Sequence, residues 1–347
     1  MQFDLPLELE RDLVAGALAF RAAEPWKFLG NTHYLLVTEA DDNLRALSVL
    51  GQGRQQYGLQ CYAASCAVEW LLLVEMSSPI LLTNPTLVYE ILEAETLDLG
   101  ARKDTDLRDR ERLSRSGYEP VPRARQAWPF FRQFRPNHLP WHVDEAAARR
   151  LLTDLHRALR WAELAPSLDW SDLAKPIALR RFPRVSAELS ADRPWTPADV
   201  SWDRLPRVRA RHPEPLPVDP AKVAAVKRLP VNLKESLWVD ERPQMVKIGP
   251  ERVGLPYFPR IGVCLDGRTG MAFPPAMGSA ARPIGTSALE SLVTTLQARG
   301  SRPGNVLIAN DTLAITLGPW LQAAGIASEH RPGGEVLDGF WEMMDRF

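Results

Sequence analysis

The feature that most constrains the fold is an alternation of strand and helix patterns over the last part of the chain, residues 257–347. An apolar run from Ile261 to Leu265 is followed by a glycine-bearing loop and a second short run, Met271 to Phe273, which predicts a β-hairpin. The run from Asn305 to Ala309 is short, apolar and β-branched, as expected of a buried strand near the centre of a sheet. These strands define an α/β unit.

Two helices are predicted between and after these strands. Ser287 stands three residues before Glu290, the spacing of a capping box, so the first helix is expected to begin there. Asp311 is expected to cap the second helix, which Pro319 should kink or split. A last strand is predicted from Ile326 to His330. This order implies right-handed crossovers and parallel pairing of the later strands, with the hairpin antiparallel at one side.

The N-terminal part of the chain has the pattern of an α+β module. Apolar and charged residues alternate at helical spacing from Leu7 to Ala22, which predicts an amphipathic helix. The runs His33 to Glu39 and Leu44 to Leu50 predict a hairpin, with Tyr57 to Tyr62 as a third strand. Ser65 is then expected to cap a second helix.

The next stretch, 87–113, is polar and is predicted to be helical, with interleaved charges on a solvated face. The segment from Trp128 to Trp141 is so rich in aromatic residues and proline that we expect irregular but buried structure. A further helix is predicted to begin beside Asp144, which is its candidate cap.

Length and composition indicate two domains and exclude little else. The chain has 347 residues, of which 45% are hydrophobic and 24% charged, as in ordinary globular proteins. We predict an α+β protein with an N-terminal α+β domain at 1–165, a proline-rich connecting region at 166–235 and a C-terminal α/β domain at 236–347. The last is expected to have a mixed sheet in an RNase H-like or Rossmann-like three-layer arrangement. The net charge of -1 does not favour tight non-specific binding of nucleic acid.

Three cysteines, Cys61, Cys66 and Cys264, lie in apolar runs without the spacing of zinc ligands. We expect them to be reduced core residues that bind no metal. The first residues show no cleavable signal pattern, and no apolar run approaches the length of a membrane span. The predicted location is the cytoplasm.

Three stretches carry a resemblance to a known group of proteins: Trp128 to Trp141, the strand Leu237 to Asp240, and Tyr257 to Pro259 with the loop at 266–270. Together they resemble bacterial proteins of unknown function that carry two uncharacterised domains in tandem. The similarity covers most of the chain and rests on structural residues. It implies an architecture, but no activity, substrate or cofactor.

The carboxylates Asp266, Asp311 and Glu335 are the candidate catalytic residues. Their order along the chain resembles that of RNase H-like nucleases and integrases, in which carboxylates at neighbouring strand ends hold two Mg²⁺ ions. Each residue also has a structural interpretation: Asp266 in a hairpin turn, Asp311 as a helix cap, and Glu335 as an acid in a loop or first helical turn. The structural interpretation is preferred, so no catalytic residue and no cofactor is assigned. The metal-dependent nuclease, with Mg²⁺, is the alternative.

Two further groups were weighed as ligand sites. His138 and His142 lie four residues apart near Asp144, but Pro140 between them prevents helical spacing, so packing beside Trp141 is preferred to metal binding. Four arginines interleaved with aromatic residues have the composition of a single-strand nucleic-acid platform: Arg123, Arg125, Arg132 and Arg135. The preferred interpretation is that these aromatics are core and the arginines extend outward. The sequence therefore predicts a non-catalytic binding or scaffolding protein, with another protein as a possible partner.

Overall fold

The computed structural model of the protein describes residues 4–39, 43–75, 90–120, 126–206, 214–244, 255–279, 282–331 and 334–344. The chain divides into two units, residues 1–208 and 209–347, except that the short segment 253–255 is grouped with the first. Each unit has a mixed sheet and a hydrophobic core of its own. The predicted α+β fold is confirmed.

The strands of the first unit are β1 (Tyr34–Thr38), β2 (Leu44–Leu50), β3 (Gly58–Tyr62), β4 (Ala94–Gly100), β5 (Trp128–Phe134), β6 (Trp141–His142), β7 (Arg181–Ser186) and β8 (Ser201–Arg204). They form one sheet in the order β6-β5-β4-β3-β2-β1-β7-β8. Neighbouring strands are antiparallel, apart from the parallel pair β1 and β7. The predicted hairpin and third strand are therefore confirmed as β1, β2 and β3.

The helices of the first unit are α1 (Leu7–Ala23), α2 (Ala67–Glu75), α3 (Leu107–Arg115) and α4 (Glu145–Leu164). Phe20 of α1 and Trp161 of α4 are fully buried in the core on one face of the sheet, and Leu71 of α2 is buried in a second core with residues of the other face. Asp144 caps α4 as predicted, because its side chain accepts a hydrogen bond from the backbone N–H of Ala147 at 2.9 Å.

A network of charged side chains lies inside the first unit. Arg45 of β2 donates to Glu95 of β4 at 3.1 Å and to Asp154 of α4 at 2.6 Å, and all three side chains are buried. Arg150 and Arg157 of α4 donate in turn to Glu95 at 2.5 Å and to Asp154 at 3.0 Å. The network joins two strands of the sheet to the helix that covers them.

This network explains a wrong prediction in the stretch 87–113. In the described part of that stretch, α3 is the one long helix. Residues Ala94–Gly100 form the strand β4 in the interior of the sheet. The strand appears polar in the sequence because Glu95 belongs to it. Its charge is tolerated in the core because Arg45 and Arg150 neutralise it.

The prediction of irregular structure from Trp128 to Trp141 was also wrong. Residues Trp128–Phe134 form β5, which pairs with β4 along its length. Only Arg132 and Gln133 pair with the two-residue strand β6, so β5 is an edge strand at Pro129. A proline is tolerated at such a position because no ladder hydrogen bond is needed on the open side.

The second unit contains β9 (Val231–Pro243), β10 (Arg260–Asp266), β11 (Ala276–Gly278), β12 (Arg302–Ile308) and β13 (Ala327–His330). The sheet order is β11-β10-β9-β12-β13. As predicted, the later strands are parallel, since β12 runs parallel to both β9 and β13, and the pairs of β10 with β9 and with β11 are antiparallel. The central strand is β9, and β12 lies beside it.

The helices of the second unit are α5 (Pro220–Lys227), α6 (Thr286–Arg299), α7 (Asp311–Ala324) and α8 (Glu335–Met344). Residues of α5, α6 and α7 pack in one core with Leu237 and Val306 of the sheet. Leu337 and Trp341 of α8 pack with Trp238 in another, which gives the predicted three layers. Pro319 lies inside α7, which continues through it and is not split.

One local prediction in the second unit was wrong. Met271 to Phe273 is not a strand: Ala272 makes an isolated bridge with Leu265, and the strand that pairs with β10 is β11, a few residues later. The predicted connecting region 166–235 contributes to both units, because β7 and β8 complete the first sheet and α5 belongs to the second core. Strand β7 contains Pro183 and lies between β1 and β8, so proline density does not exclude strands here.

The starts of α6 and α7 use different caps from those predicted. The N-cap of α6 is Gly285, and the carboxylate of Glu241 on β9 accepts hydrogen bonds from the backbone N–H groups of Gly285 and Ala288, each at 3.0 Å. Ser287 is instead buried inside the first turn. Asn310 caps α7 by accepting from the N–H of Leu313 at 2.9 Å, so Asp311 is the first helical residue.

Candidate functional site

The start of α3 places two carboxylates next to each other. Asp106 is the N-cap, and its Oδ1 accepts a hydrogen bond from the backbone N–H of Asp109 at 2.9 Å. The Asp109 side chain accepts in return from the N–H of Asp106 at 3.1 Å, which completes a capping box. The local sequence therefore fixes the positions of both acids.

The pairing of β5 with β6 brings a histidine and an arginine to these acids. Arg132 and His142 are direct partners across the two strands. The Nε2 atom of His142 lies 2.9 Å from Oδ2 of Asp106, and Nδ1 lies 3.5 Å from Oδ1 of Asp109. His142 therefore stands between the two carboxylates. Its ring also contacts that of Trp141, as the packing interpretation predicted, with the centroids 5.4 Å apart.

Arg132 clamps one of the acids. Its two terminal nitrogens donate to the two oxygens of Asp109 at 2.7 and 2.6 Å, a bidentate pair. Burial by itself raises the pKa of Asp109, but the hydrogen bonds from Arg132 and His142 outweigh it and hold the pKa well below its usual range. Asp109 is therefore a fixed, ionised and internally neutralised group.

The four side chains differ in their access to solvent. Asp109 and His142 are buried, and Arg132 is 15% exposed, whereas the side chain of Asp106 is half exposed. A ligand from solvent would therefore meet Asp106 first, with the imidazole behind it. In the described part of the chain, Asp106, Asp109 and His142 form the one group of at least three His, Cys, Asp or Glu residues whose ligand atoms lie within 4.8 Å of one another.

The sequence interpretation missed this cluster. It assigned the acids of 87–113 to a solvated helix face and considered His142 only together with His138 and Asp144. In the structure Asp144 caps α4, and His138 lies close to the carbonyl oxygen of Pro136 through Nδ1 at 2.8 Å. The available signal was the spacing of Asp106 and Asp109, which is that of a capping box with two acids.

The predicted catalytic carboxylates lie at different places in the second unit. Asp266 ends β10 opposite Leu237 of β9, and its Oδ1 accepts hydrogen bonds from the N–H groups of Arg268 and Thr269. These bonds to the backbone, together with the Thr269 hydroxyl, lower the pKa of Asp266. Asp266 therefore stabilises a turn, which is the structural role proposed for it from the sequence.

Asp311 and Glu335 lie at helix starts. Asp311 is exposed in the first turn of α7, with Oδ1 at 3.1 Å from Nδ1 of His330. Glu335 is the exposed first residue of α8. None of the three predicted carboxylates joins another in a group of ligand distance in the described part of the chain. The three carboxylates therefore do not form a common metal site of the kind that their order along the sequence suggested.

The arginines of the suggested nucleic-acid platform are engaged within the first unit. Arg132 is paired with Asp109, and Arg135 donates to Glu93. Trp128 and Phe131 are buried in the core. Arg123 and Arg125 lie outside the described residues. Among the residues that the structure describes, the aromatic side chains are thus packed as core rather than arrayed for stacking.

A buried carboxylate in the second unit joins three elements. Asp240 of β9 accepts hydrogen bonds from the indole N–H of Trp341 at 2.8 Å, from Nε of Arg242 at 3.1 Å and from the side-chain amide of Asn310 at 3.1 Å. Burial raises the pKa of Asp240 despite these donors. Asp240 thus ties α8 and the cap of α7 to the central strand.

Two mixed sheets in two separate units define a two-domain α+β protein. Residues 11–170 match the family model described as Domain of unknown function (DUF7309), and residues 222–345 match Domain of unknown function (DUF6930). The chain thus carries two domains of unknown function in tandem, as the resemblance implied; the RNase H-like resemblance receives no such support. A comparison with curated proteins finds no match. Among the described residues, no helix combines the length and apolar character needed to cross a membrane.

Proposed function

We propose that the protein is a non-catalytic binding or scaffolding protein of the cytoplasm. The observation that carries this proposal is the placement of Asp266 at the end of β10 and of Asp311 at the start of α7. Asp266 lies opposite Leu237 of β9, and the turn after it continues toward Ser236, where the N–H of Gly267 donates to the Ser236 carbonyl. The chain at Asp266 thus runs toward the amino end of β9.

Asp311 lies toward the other end of β9. Ile308 of β12 is beside Val239, and the chain then continues to Asn310, whose side chain contacts Asp240. Three positions of β9, from Leu237 to Asp240, therefore separate the partner of Asp266 from the contact of Asn310, about 10 Å at roughly 3.3 Å per residue. A two-metal site needs cations about 3.5–4 Å apart, so this arrangement favours a structural role for both acids over nuclease chemistry.

The test is a cleavage assay with the full chain in Mg²⁺ or Mn²⁺. We expect no cleavage of single-stranded or duplex DNA or RNA by the natural protein, or by Asp266→Asn and Asp311→Asn. Metal-dependent cleavage that survives purification and disappears in both variants would overturn the proposal in favour of the nuclease. A matched control is Asp338→Asn, an exposed acid on α8 outside the predicted set.

We also do not expect the protein to bind nucleic acid without cleaving it. Arg132 of β5 and Arg135, which follows the strand, already pair with Asp109 and Glu93, so neither charge is free for a phosphate. We expect no salt-sensitive binding of single-stranded oligonucleotides in fluorescence anisotropy. Binding with a steep salt dependence that is lost in Arg135→Gln would show that the arginines act as a platform.

A further inference from the structure

We propose that Asp106 and His142 bind a divalent transition-metal cation, with Asp109 as the carboxylate that supports the site. The inference does not depend on the proposed function, because a bound cation is compatible with a binding protein and with an enzyme. It rests on the geometry of the cluster at the start of α3.

The first step concerns the ligand atoms. Nε2 of His142 and Oδ2 of Asp106 are 2.9 Å apart, which is about the separation of two donors on one cation at about 2.0–2.2 Å. Asp106 is the N-cap of α3 and His142 belongs to β6. Both backbones are held by hydrogen bonds, through the capping box and through the pairing of β6 with Arg132 and Gln133. The two ligands are therefore positioned before any cation arrives.

The second step concerns the groups behind the ligands. A histidine that binds a metal through one nitrogen generally has its other nitrogen held by a carboxylate or carbonyl oxygen. His142 can meet this requirement through Nδ1, which lies 3.5 Å from Oδ1 of the buried Asp109 and also 3.5 Å from Nη1 of Arg132. Arg132 in turn fixes Asp109 through two hydrogen bonds. Because Arg132 neutralises Asp109 and donates to both of its oxygens, Asp109 supports the site and is not a direct ligand.

The third step concerns charge and access. The charges of Asp109 and Arg132 cancel, and Arg132 also lies 3.7 Å from Oδ2 of Asp106, so the two acids and the arginine together carry one negative charge. Asp106 is half exposed, so water molecules can complete the coordination of a cation that enters from solvent. Two protein ligands indicate modest affinity. An imidazole ligand favours Zn²⁺, Ni²⁺ or Cu²⁺ over Mg²⁺ and Ca²⁺, which prefer oxygen ligands.

The test uses the full chain without a polyhistidine tag, stripped of metal by a chelator and titrated with Zn²⁺ by calorimetry. We expect one equivalent to bind in the natural protein, with affinity reduced about tenfold or more in His142→Gln. His138→Gln is the matched control, because it removes a neighbouring histidine outside the cluster, and should leave binding unchanged. A parallel titration with Mg²⁺ should give no binding in the same concentration range.

A second variant separates loss of a ligand from loss of the fold. Asp106→Asn keeps a good N-cap for α3, since asparagine and aspartate cap about equally well, but removes the charge from the ligand. It should fold normally by circular dichroism and still bind Zn²⁺ about tenfold or more weakly. Absence of Zn²⁺ binding in the natural protein, equal binding by His142→Gln, or equal binding of Mg²⁺ would each overturn the proposal.

Discussion

The two units differ in the groups that contact their buried carboxylates. In the first unit these groups are arginine side chains, whereas in the second unit they are largely backbone N–H groups and neutral side-chain donors. Glu95 and Asp154 are paired with Arg45, and Asp109 with Arg132. Glu241 instead accepts from two backbone N–H groups at the start of α6, with Arg260 farther away at 3.6 Å. The same chemical group thus serves as an ion-pair partner in one unit and mainly as a helix cap in the other.

This difference determines how each unit should respond to substitution and to acid. An ion pair in a core has two charges that need each other, so removing one leaves the other buried without compensation. A carboxylate that caps a helix mainly supports uncharged donors, so its loss chiefly leaves unsatisfied N–H groups. The largest single-residue effects are therefore expected in the first unit.

Removal of the arginine at the centre of the buried network should have the largest effect. Arg45→Met fits an apolar side chain into the space but leaves Glu95 and Asp154 with reduced compensation, which should cost about 3–5 kcal/mol in the free energy of unfolding. Urea denaturation would measure it. The control Arg149→Met breaks an exposed pair with Glu145 on the same helix as Asp154 and should cost about 0.5 kcal/mol or less. Equal effects would mean that the network is energetically no different from a surface pair.

A smaller effect is expected from the cap in the second unit. Glu241→Gln retains one acceptor oxygen for the two N–H groups of Gly285 and Ala288, so one is left unsatisfied at a cost of about 1–3 kcal/mol. The matched control is Glu290→Gln on the same helix, where the residue pairs with Arg282 at a partly exposed position and should contribute little. A cost for Glu290→Gln that equals or exceeds that of Glu241→Gln would restore the original prediction that Glu290 helps to cap α6.

Some parts of the fold can be predicted from the sequence and others cannot. Helix α1 and strands β1 to β3 were predictable because apolar periodicity alone defines them. Strand β4 was not, because the burial of Glu95 depends on Arg45 and Arg150, which lie fifty residues earlier and fifty-five residues later in the chain. The candidate site was not predictable for the same reason: His142 meets Asp106 and Asp109 only through the pairing of β5 with β6. Periodicity reports burial, but not the partner that makes the burial of a charge possible.

The smallest effect is a difference in pH dependence between Asp109 and Asp240. The pKa of Asp109 is lowered by folding, so its contribution to stability is present above the unfolded value of about 3.9 and is lost as the pH falls. The loss should reach about 1 kcal/mol by pH 3. The pKa of Asp240 is raised by burial, so its contribution changes in the opposite direction.

The measurement is the free energy of unfolding between pH 7 and pH 3 in the natural protein and in two variants. Asp109→Asn should flatten the acid-induced loss of stability, and Asp240→Asn should steepen it. A steeper loss in Asp109→Asn would mean that Arg132 does not hold the carboxylate ionised, and the contrast between the two units would then disappear.

The cap of α6 has a consequence for amide hydrogen exchange. Glu241 lies 44 and 47 positions before Gly285 and Ala288, whose N–H groups it protects. When the first turn of α6 opens locally, the acceptor does not move with it, because Glu241 belongs to the central strand. By contrast, α5 and α7 begin at Asp219 and Asn310, which are adjacent to the amides they cap. The first amides of α5 and α7 should therefore exchange through local opening. The amides of Gly285 and Ala288 should exchange only when β9 separates from the helix. Their exchange rate should then report the cooperative opening of the whole second unit.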